Sequence, residues 1–270
     1  MKPWVASRLD ALSVAVRRPG HVKVPEVTVY FWVTKVLTTA MGESTSDGLV
    51  HQLGPGIAVP LAGLGLAASL VLQFRTKRYV PWVYWLAVVM VAIFGTMAAD
   101  VLHKGLGVPY AASTTFFAVV LAVIFVVWHR FERTLSIHSI TTPRREAFYW
   151  AVVMATFSLG TAAGDMTATT LGLGYFASGL LFTLLIALPA LAYRLLGLNA
   201  VVAFWTAYIL TRPLGASFAD WFAVPHWRGG LGLGAGLVSV VLGIAIIGLV
   251  GYLSATHRDA PDEHADRPAQ

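Results

Sequence analysis

Eight times along this chain a run of predominantly apolar residues recurs. Each is roughly 20 residues long, the length an α-helix needs to cross the hydrocarbon core of a bilayer. The runs lie near residues 27–48, 56–74, 80–101, 108–128, 147–166, 172–193, 200–221 and 231–253. In lipid every backbone N–H and C=O must be satisfied within the protein, which leaves helices and closed barrels, and runs of this length are helical because barrel strands need only about 9–11 residues. The expected fold is therefore an all-α integral membrane protein with eight transmembrane helices. Composition agrees, since 57% of the residues are hydrophobic and 12% charged, whereas soluble domains are about a quarter charged. The nine tryptophans and nine tyrosines include several at the ends of the runs, as in interfacial aromatic belts.

Basic residues between the runs set the orientation. Of the 19 Lys and Arg, 15 fall before the first run, in the connections after the second, fourth and sixth, or after the eighth. Only Lys104 and Arg228 fall on the opposite side, and Lys35 and Arg212 lie inside runs. By the positive-inside rule both termini are expected in the cytoplasm. The same rule accounts for the net charge of +6 without a nucleic-acid partner. Residues 1–26 lack the apolar core of a signal peptide and read as a cytoplasmic segment with an interfacial helix anchored by Trp4. Residues 27–254 form the transmembrane domain, and the polar, Pro-containing tail 255–270 is expected to be disordered.

The eight runs pair into four copies of one unit, (F/Y)-W-x9-G-x4-D. Phe31-Trp32, Gly42 and Asp47 form the first copy, and Tyr84-Trp85, Gly95 and Asp100 the second. Tyr149-Trp150, Gly160 and Asp165 follow, then Phe204-Trp205, Gly215 and Asp220. Three copies add Leu-Gly at one offset, at Leu53-Gly54, Leu106-Gly107 and Leu171-Gly172, whereas the fourth has VPHWRGGLGLG there. The tryptophans are 53, 65 and 55 positions apart, so each unit is a two-span repeat, over about 27–75, 80–130, 147–194 and 200–254. An even number of spans per unit makes the repeats parallel, unlike the inverted repeats of many transporters. The expected packing is a pseudo-symmetric ring of four hairpins, with small residues around each glycine permitting close approach. This pattern resembles that of a bacterial family of uncharacterised membrane-anchored proteins, built from four tandem copies of a two-helix repeat of unknown function. The resemblance covers about residues 27–253 and implies a multi-pass protein of the inner membrane. It carries no catalytic residues.

Within the runs, carboxylates are the residues that demand explanation. Glu43, Asp47, Asp100, Asp165 and Asp220 lie in or at the ends of apolar spans, where a charge at the bilayer centre costs about 2.5–3.5 kcal/mol on insertion scales. Four equivalent helices around one axis bring the four Asp toward a common outer vestibule, an acidic ring of the kind that gathers cations. A structural role stands beside this one, with each Asp hydrated or capping a following turn. Lys35, Thr39, Glu43 and Asp47 recur every four residues and share one helix face. Lys35 is therefore expected to pair with an acid of its own helix, while Arg212, before Pro213, is the second buried base. His51 and His103 stand four and three residues after Asp47 and Asp100, positions from which imidazole can join a carboxylate around a metal. Trp32, Trp85, Trp150 and Trp205 are assigned to anchoring and packing.

Cysteine is absent, which excludes thiolate metal sites and thiol catalysis. No G-x-S-x-G, phosphate-binding loop or H-E-x-x-H occurs, so no enzyme is expected. The functional expectation is an inner-membrane transporter or channel for a small cation. A divalent metal leads, proton coupling is included, and no other cofactor is implied. Two alternatives remain: a transporter or binder of an organic or anionic solute using Lys35 and Arg212, and a membrane scaffold. The sequence leaves the oligomeric state open.

Overall fold

The computed structural model describes residues 21–261, and among these it is all helical, with eight α-helices. They are α1 Val29–Leu53, α2 Pro55–Arg75, α3 Pro81–Asp100, α4 Tyr110–Glu132, α5 Pro143–Asp165, α6 Gly174–Leu196, α7 Ala200–Ala223 and α8 Ala235–Thr256. Local chemistry sets many of the boundaries. Thr28, Thr142 and Asn199 accept hydrogen bonds from the first-turn N–H groups of α1, α5 and α7, as N-cap residues do. Proline opens α2, α3 and α5, where its missing N–H costs nothing. The repeated Leu-Gly stops the chain from continuing as helix in three repeats, directly at the end of α1 and one further turn beyond α3 and α5, and Gly54, Gly107 and Gly172 there have φ of +73°, +69° and +69°, a conformation that favours glycine.

Six of the helices are long and apolar enough to cross a membrane; α1 and α7 are not among them. Those two carry Lys35, Glu43 and Asp47, and Arg212 and Asp220. Both are inner helices, and Lys35, Glu43, Arg212 and Asp220 are buried within the protein.

The first helices of the four repeats form a closed ring, α1 against α3, α3 against α5, α5 against α7 and α7 against α1. The second helices lie outside it. Each packs more extensively on the first helix of the following repeat than on its own: α2 on α3, α4 on α5, α6 on α7, and α8 back on α1. The repeats are therefore not the self-contained hairpins expected, because each inner helix already has two inner neighbours. The outer helix settles over the next inner one. Exposed Leu64, Val119, Leu184 and Ile244 belong to these outer helices, which suits a lipid-facing surface.

The repeat motif encodes the ring contacts. A Cβ added to Gly42 would lie 2.3 Å from Ala92 Cβ, one on Gly95 2.8 Å from Phe157 Cβ, one on Gly160 2.4 Å from Arg212 Cγ, and one on Gly215 2.0 Å from Thr39 Oγ1. Every glycine thus faces the residue three positions before the glycine of the next inner helix. The aromatic dipeptide repeats a second contact. Phe31, Tyr84, Tyr149 and Phe204 meet Trp85, Trp150, Trp205 and Trp32, with ring centroids 5.9, 5.6, 6.2 and 5.7 Å apart. Trp85, Trp150 and Trp205 are buried in the core, so packing, not interfacial anchoring, accounts for them.

At the Trp end the chain closes the bundle. Lys23 pairs with buried Glu146, whose other oxygen accepts from Gln73 Nε2 at 3.0 Å. Beyond α8, Asp259 is fully buried and accepts a hydrogen bond from the Tyr79 hydroxyl. The chain is therefore ordered through Pro261, and the expectation of a disordered tail from residue 255 does not hold for 255–261. The remainder of that tail, and the interfacial helix with Trp4, lie outside the described residues.

Candidate functional site

Reading the four copies as columns aligned on the repeat glycine gives the site its layers. One residue after the glycine stand Glu43, Thr96, Thr161 and Ala216; three before it stand Thr39, Ala92, Phe157 and Arg212; seven before it stand Lys35, Val88, Val153 and Tyr208. These positions face the middle of the ring, because the side chains of one column meet across it.

Arg212 shows this most directly. From α7 it reaches all three other inner helices: Nη2 donates to Glu43 Oε2 at 2.5 Å and to Thr161 Oγ1 at 2.8 Å, Nη1 donates to the Thr39 carbonyl at 2.8 Å, and Thr96 Oγ1 is a further contact. Thr96 and Thr161 also donate to Glu43 Oε2, at 3.2 and 3.4 Å. Arg212 and Glu43 are almost entirely buried, and the hydrogen bonds to both Nη atoms offset much of the cost of burying the pair, with Nε alone of the three guanidinium nitrogens left without a partner among the described residues. The acid expected to partner Lys35 has therefore been taken by Arg212. Lys35 and Glu43 are two turns apart on α1 and occupy different layers, so a partner from the neighbouring inner helix α7 wins.

Lys35 itself is packed between aromatic faces. Its Nζ lies 3.9 Å from the Phe157 ring centroid and 4.2 Å from that of Tyr208, and it hydrogen-bonds to nothing among the described residues. The ring quadrupoles supply the attraction for the ammonium. Below it, toward the Trp end, the Tyr84 and Tyr149 hydroxyls are 2.5 Å apart. Lys35, Phe157, Tyr208, Arg212 and Glu43 together fill the centre of the ring, each at most 1% exposed.

At the other end the four repeat aspartates gather. Asp47 and Asp220 remain within helices, whereas Asp100 and Asp165 end α3 and α5 and are each followed by a π-helical turn, Val101–Gly105 and Met166–Thr170. Such turns are rare and frequent at functional sites. Neither Asp caps its turn with its side chain. Instead the first turn carries His103 back toward two carboxylates: Nε2 lies 2.9 Å from Asp100 Oδ1 and 3.3 Å from Asp165 Oδ2. Lys104 follows it, with Nζ 3.0 Å from Asp100 and 3.7 Å from Asp47.

Two sets of three ligand atoms result, each with all donors within 4.8 Å of one another: Asp100, His103 and Asp165, and Glu43, Asp47 and Asp220. The first is two oxygens and an imidazole, a donor set suited to borderline first-row metals. The second is oxygen only. Asp165 and Asp220 are more than nine-tenths buried. Among the described residues Asp165 Oδ2 completes no hydrogen bond, His103 Nε2 at 3.3 Å being an ion-pair contact only. All four expected aspartates and Glu43 are thus in the cluster, together with His103. His51 is exposed near the end of α1 and takes no part, since α1 continues as a regular helix and its last turn points away. His226, on a 3-10 turn, contacts the Gly230 carbonyl at 3.0 Å instead.

Sequence reasoning missed Lys104 as a site residue, although its position four after Asp100 was the available signal. It also missed Thr96, Thr161, Phe157 and Tyr208, which only the aligned columns bring out. A separate apolar groove of about 550 Å³, lined by Trp32, Val36, Ile186, Arg194, Phe204 and Ala207 among others, includes none of the clustered carboxylates.

No curated protein and no solved structure matches this chain. A family model does, four times, at residues 30–79, 83–134, 148–197 and 203–259, which are the four units seen in the sequence and in the ring. The chain accordingly belongs to the family described as a Repeat of Unknown Function (DUF347), of which it carries four copies.

Proposed function

We propose that this protein is an inner-membrane transporter for a small cation, with a divalent metal as its substrate. In this reading all eight helices span the bilayer as four parallel repeats, both termini are cytoplasmic, and the aspartate end faces outward. The single observation that carries it is the convergence of Asp100, His103 and Asp165, three metal-competent donors from two repeats within 4.8 Å of one another, at one end of predominantly apolar helices. Intramembrane ionisable groups that meet one another mark ion paths. The filled centre of the ring favours a carrier that alternates its access over an open channel. The organic- or anionic-solute reading is weakened because Arg212 is already committed to Glu43 at 2.5 Å.

The test is Mn²⁺ uptake into proteoliposomes holding the purified protein. Saturable uptake that falls at least tenfold in Asp100→Asn/Asp165→Asn, with folded yield retained, supports the reading. Uptake indistinguishable from protein-free vesicles across Mn²⁺, Zn²⁺, Mg²⁺ and Ca²⁺ refutes it. Binding is read separately: a cation at about 100 times its Kd should stabilise the fold by about 2.7 kcal/mol.

A further inference from the structure

We infer that Glu43, Asp47 and Asp220 form a second, inner cation subsite, and that Arg212 is its built-in competitor. Occupation of this subsite and the Arg212–Glu43 ion pair would then exclude each other. The inference rests on the cation reading above and divides its site in two.

Geometry supplies the first argument. Glu43, Asp47 and Asp220 come from the first and last repeats, and one oxygen of each lies within 4.8 Å of the others. Oxygen-only sets of this kind suit hard divalent cations such as Mg²⁺, Ca²⁺ and Mn²⁺. The second argument is an unmet demand. Asp220 is 8% exposed, yet its carboxylate accepts no hydrogen bond among the described residues, and its neighbours in the cluster are themselves carboxylates. A carboxyl in that position either holds its proton or is met by a positive charge, and a bound cation supplies the second. Asp100 and Asp165 have His103, and Asp47 has Lys104 at 3.7 Å, whereas among the described residues no cationic side chain comes within 4.0 Å of the Asp220 carboxylate and Lys104 acts on it only from a distance.

Glu43 also serves two masters. It is a member of the oxygen triad and also the carboxylate held by Arg212 Nη2. A divalent cation bound to Glu43 would stand within a few ångströms of the guanidinium, and like charges so close in a water-poor interior repel strongly. The cation must therefore displace Arg212 from Glu43. Because Arg212 also ties α7 to Thr39, Thr96 and Thr161, its release would loosen the layer that closes the ring beneath the site. A cation arriving from the Asp100–His103–Asp165 triad would thereby unlock its own way inward.

Counting bound Mn²⁺ by electron paramagnetic resonance on the full-length protein in detergent tests this. Wild type should bind one Mn²⁺ tightly and a second at least tenfold more weakly, whereas Arg212→Gln should bind two with the second tightened at least tenfold. In a His103→Gln background, which removes the outer triad, Arg212→Gln should still bind one. If wild type and Arg212→Gln each bind one Mn²⁺, lost in His103→Gln, the inner subsite is refuted while the outer reading stands. If neither binds any, both fall. Should Arg212→Gln fail to fold, the weaker wild-type event is the readout: its loss in Asp220→Asn supports the inference, and a single event unchanged by Asp220→Asn overturns it.

Discussion

Four glycines decide how closely the inner helices approach, and they do so by contact, not by backbone freedom, since all four lie within helices. Gly215 is the most constrained, with Thr39 Oγ1 at 2.0 Å and the Ala40 backbone nitrogen at 3.0 Å from a would-be Cβ. Gly215→Ala should therefore destabilise the protein by about 1–3 kcal/mol, the usual cost of overpacking. Gly248 in α8 has nothing within 4 Å of that position, so Gly248→Ala should leave stability unchanged or raised. Thermal unfolding of the two variants in one detergent checks the contrast, and equal losses would show that the glycines do not set the ring contacts. The glycine positions were legible from their fourfold recurrence. What each one meets was not, because the partner lies three residues before the next copy's glycine and differs in every copy: Ala92, Phe157, Arg212 and Thr39.

At the scale of elements, the placement of the outer helices distinguishes this bundle from a row of hairpins. Helix α8 returns to α1 and closes the ring, and an ideal Cβ on Gly48 lies 3.8 Å from Ala235 Cβ, close to the mean separation of about 3.8 Å in disulfides. The chain has no cysteine of its own, so Gly48→Cys/Ala235→Cys offers a clean pair. It should form an intramolecular disulfide under mild oxidation, read by mass spectrometry of the digested protein as a cross-link between the first helix and the last. If α8 packed only within its own repeat, no such cross-link would appear. The amphipathic signal gave no warning of this arrangement, because in lipid the outer helices are apolar all round and periodicity does not reveal which neighbour they cover.

Considered as a whole, the molecule has two unlike ends. The Trp end carries the basic connections and is closed by the Lys23–Glu146 pair and by Tyr79 and Asp259; the other carries the aspartates, His103 and Lys104. The charge bias predicts that the first end is cytoplasmic. A single cysteine in place of Lys77 should react with a membrane-impermeant maleimide only after intact cells are permeabilised, whereas one in place of Leu173 should react from outside. The opposite pattern would reverse the proposed direction of cation entry.

The sequence by itself determined a good deal. The apolar runs of about 20 residues dictated helices, since in lipid only helices and closed barrels satisfy the backbone and barrel strands are about half that length. Exact recurrence of (F/Y)-W-x9-G-x4-D dictated four equivalent units, and five carboxylates in apolar surroundings marked one end as chemically special. Tertiary structure decided the pairings. Lys35 and Glu43 share a helix face, yet Glu43 went to Arg212 of the neighbouring inner helix while Lys35 was left between Phe157 and Tyr208. Asp165 joined His103 of another repeat, and His51, although spaced like a ligand, stayed outside. The reason is geometric. A repeat states which residues occupy equivalent positions, but which of them touch depends on the rotation and height at which neighbouring helices meet, and close packing at the glycines sets both.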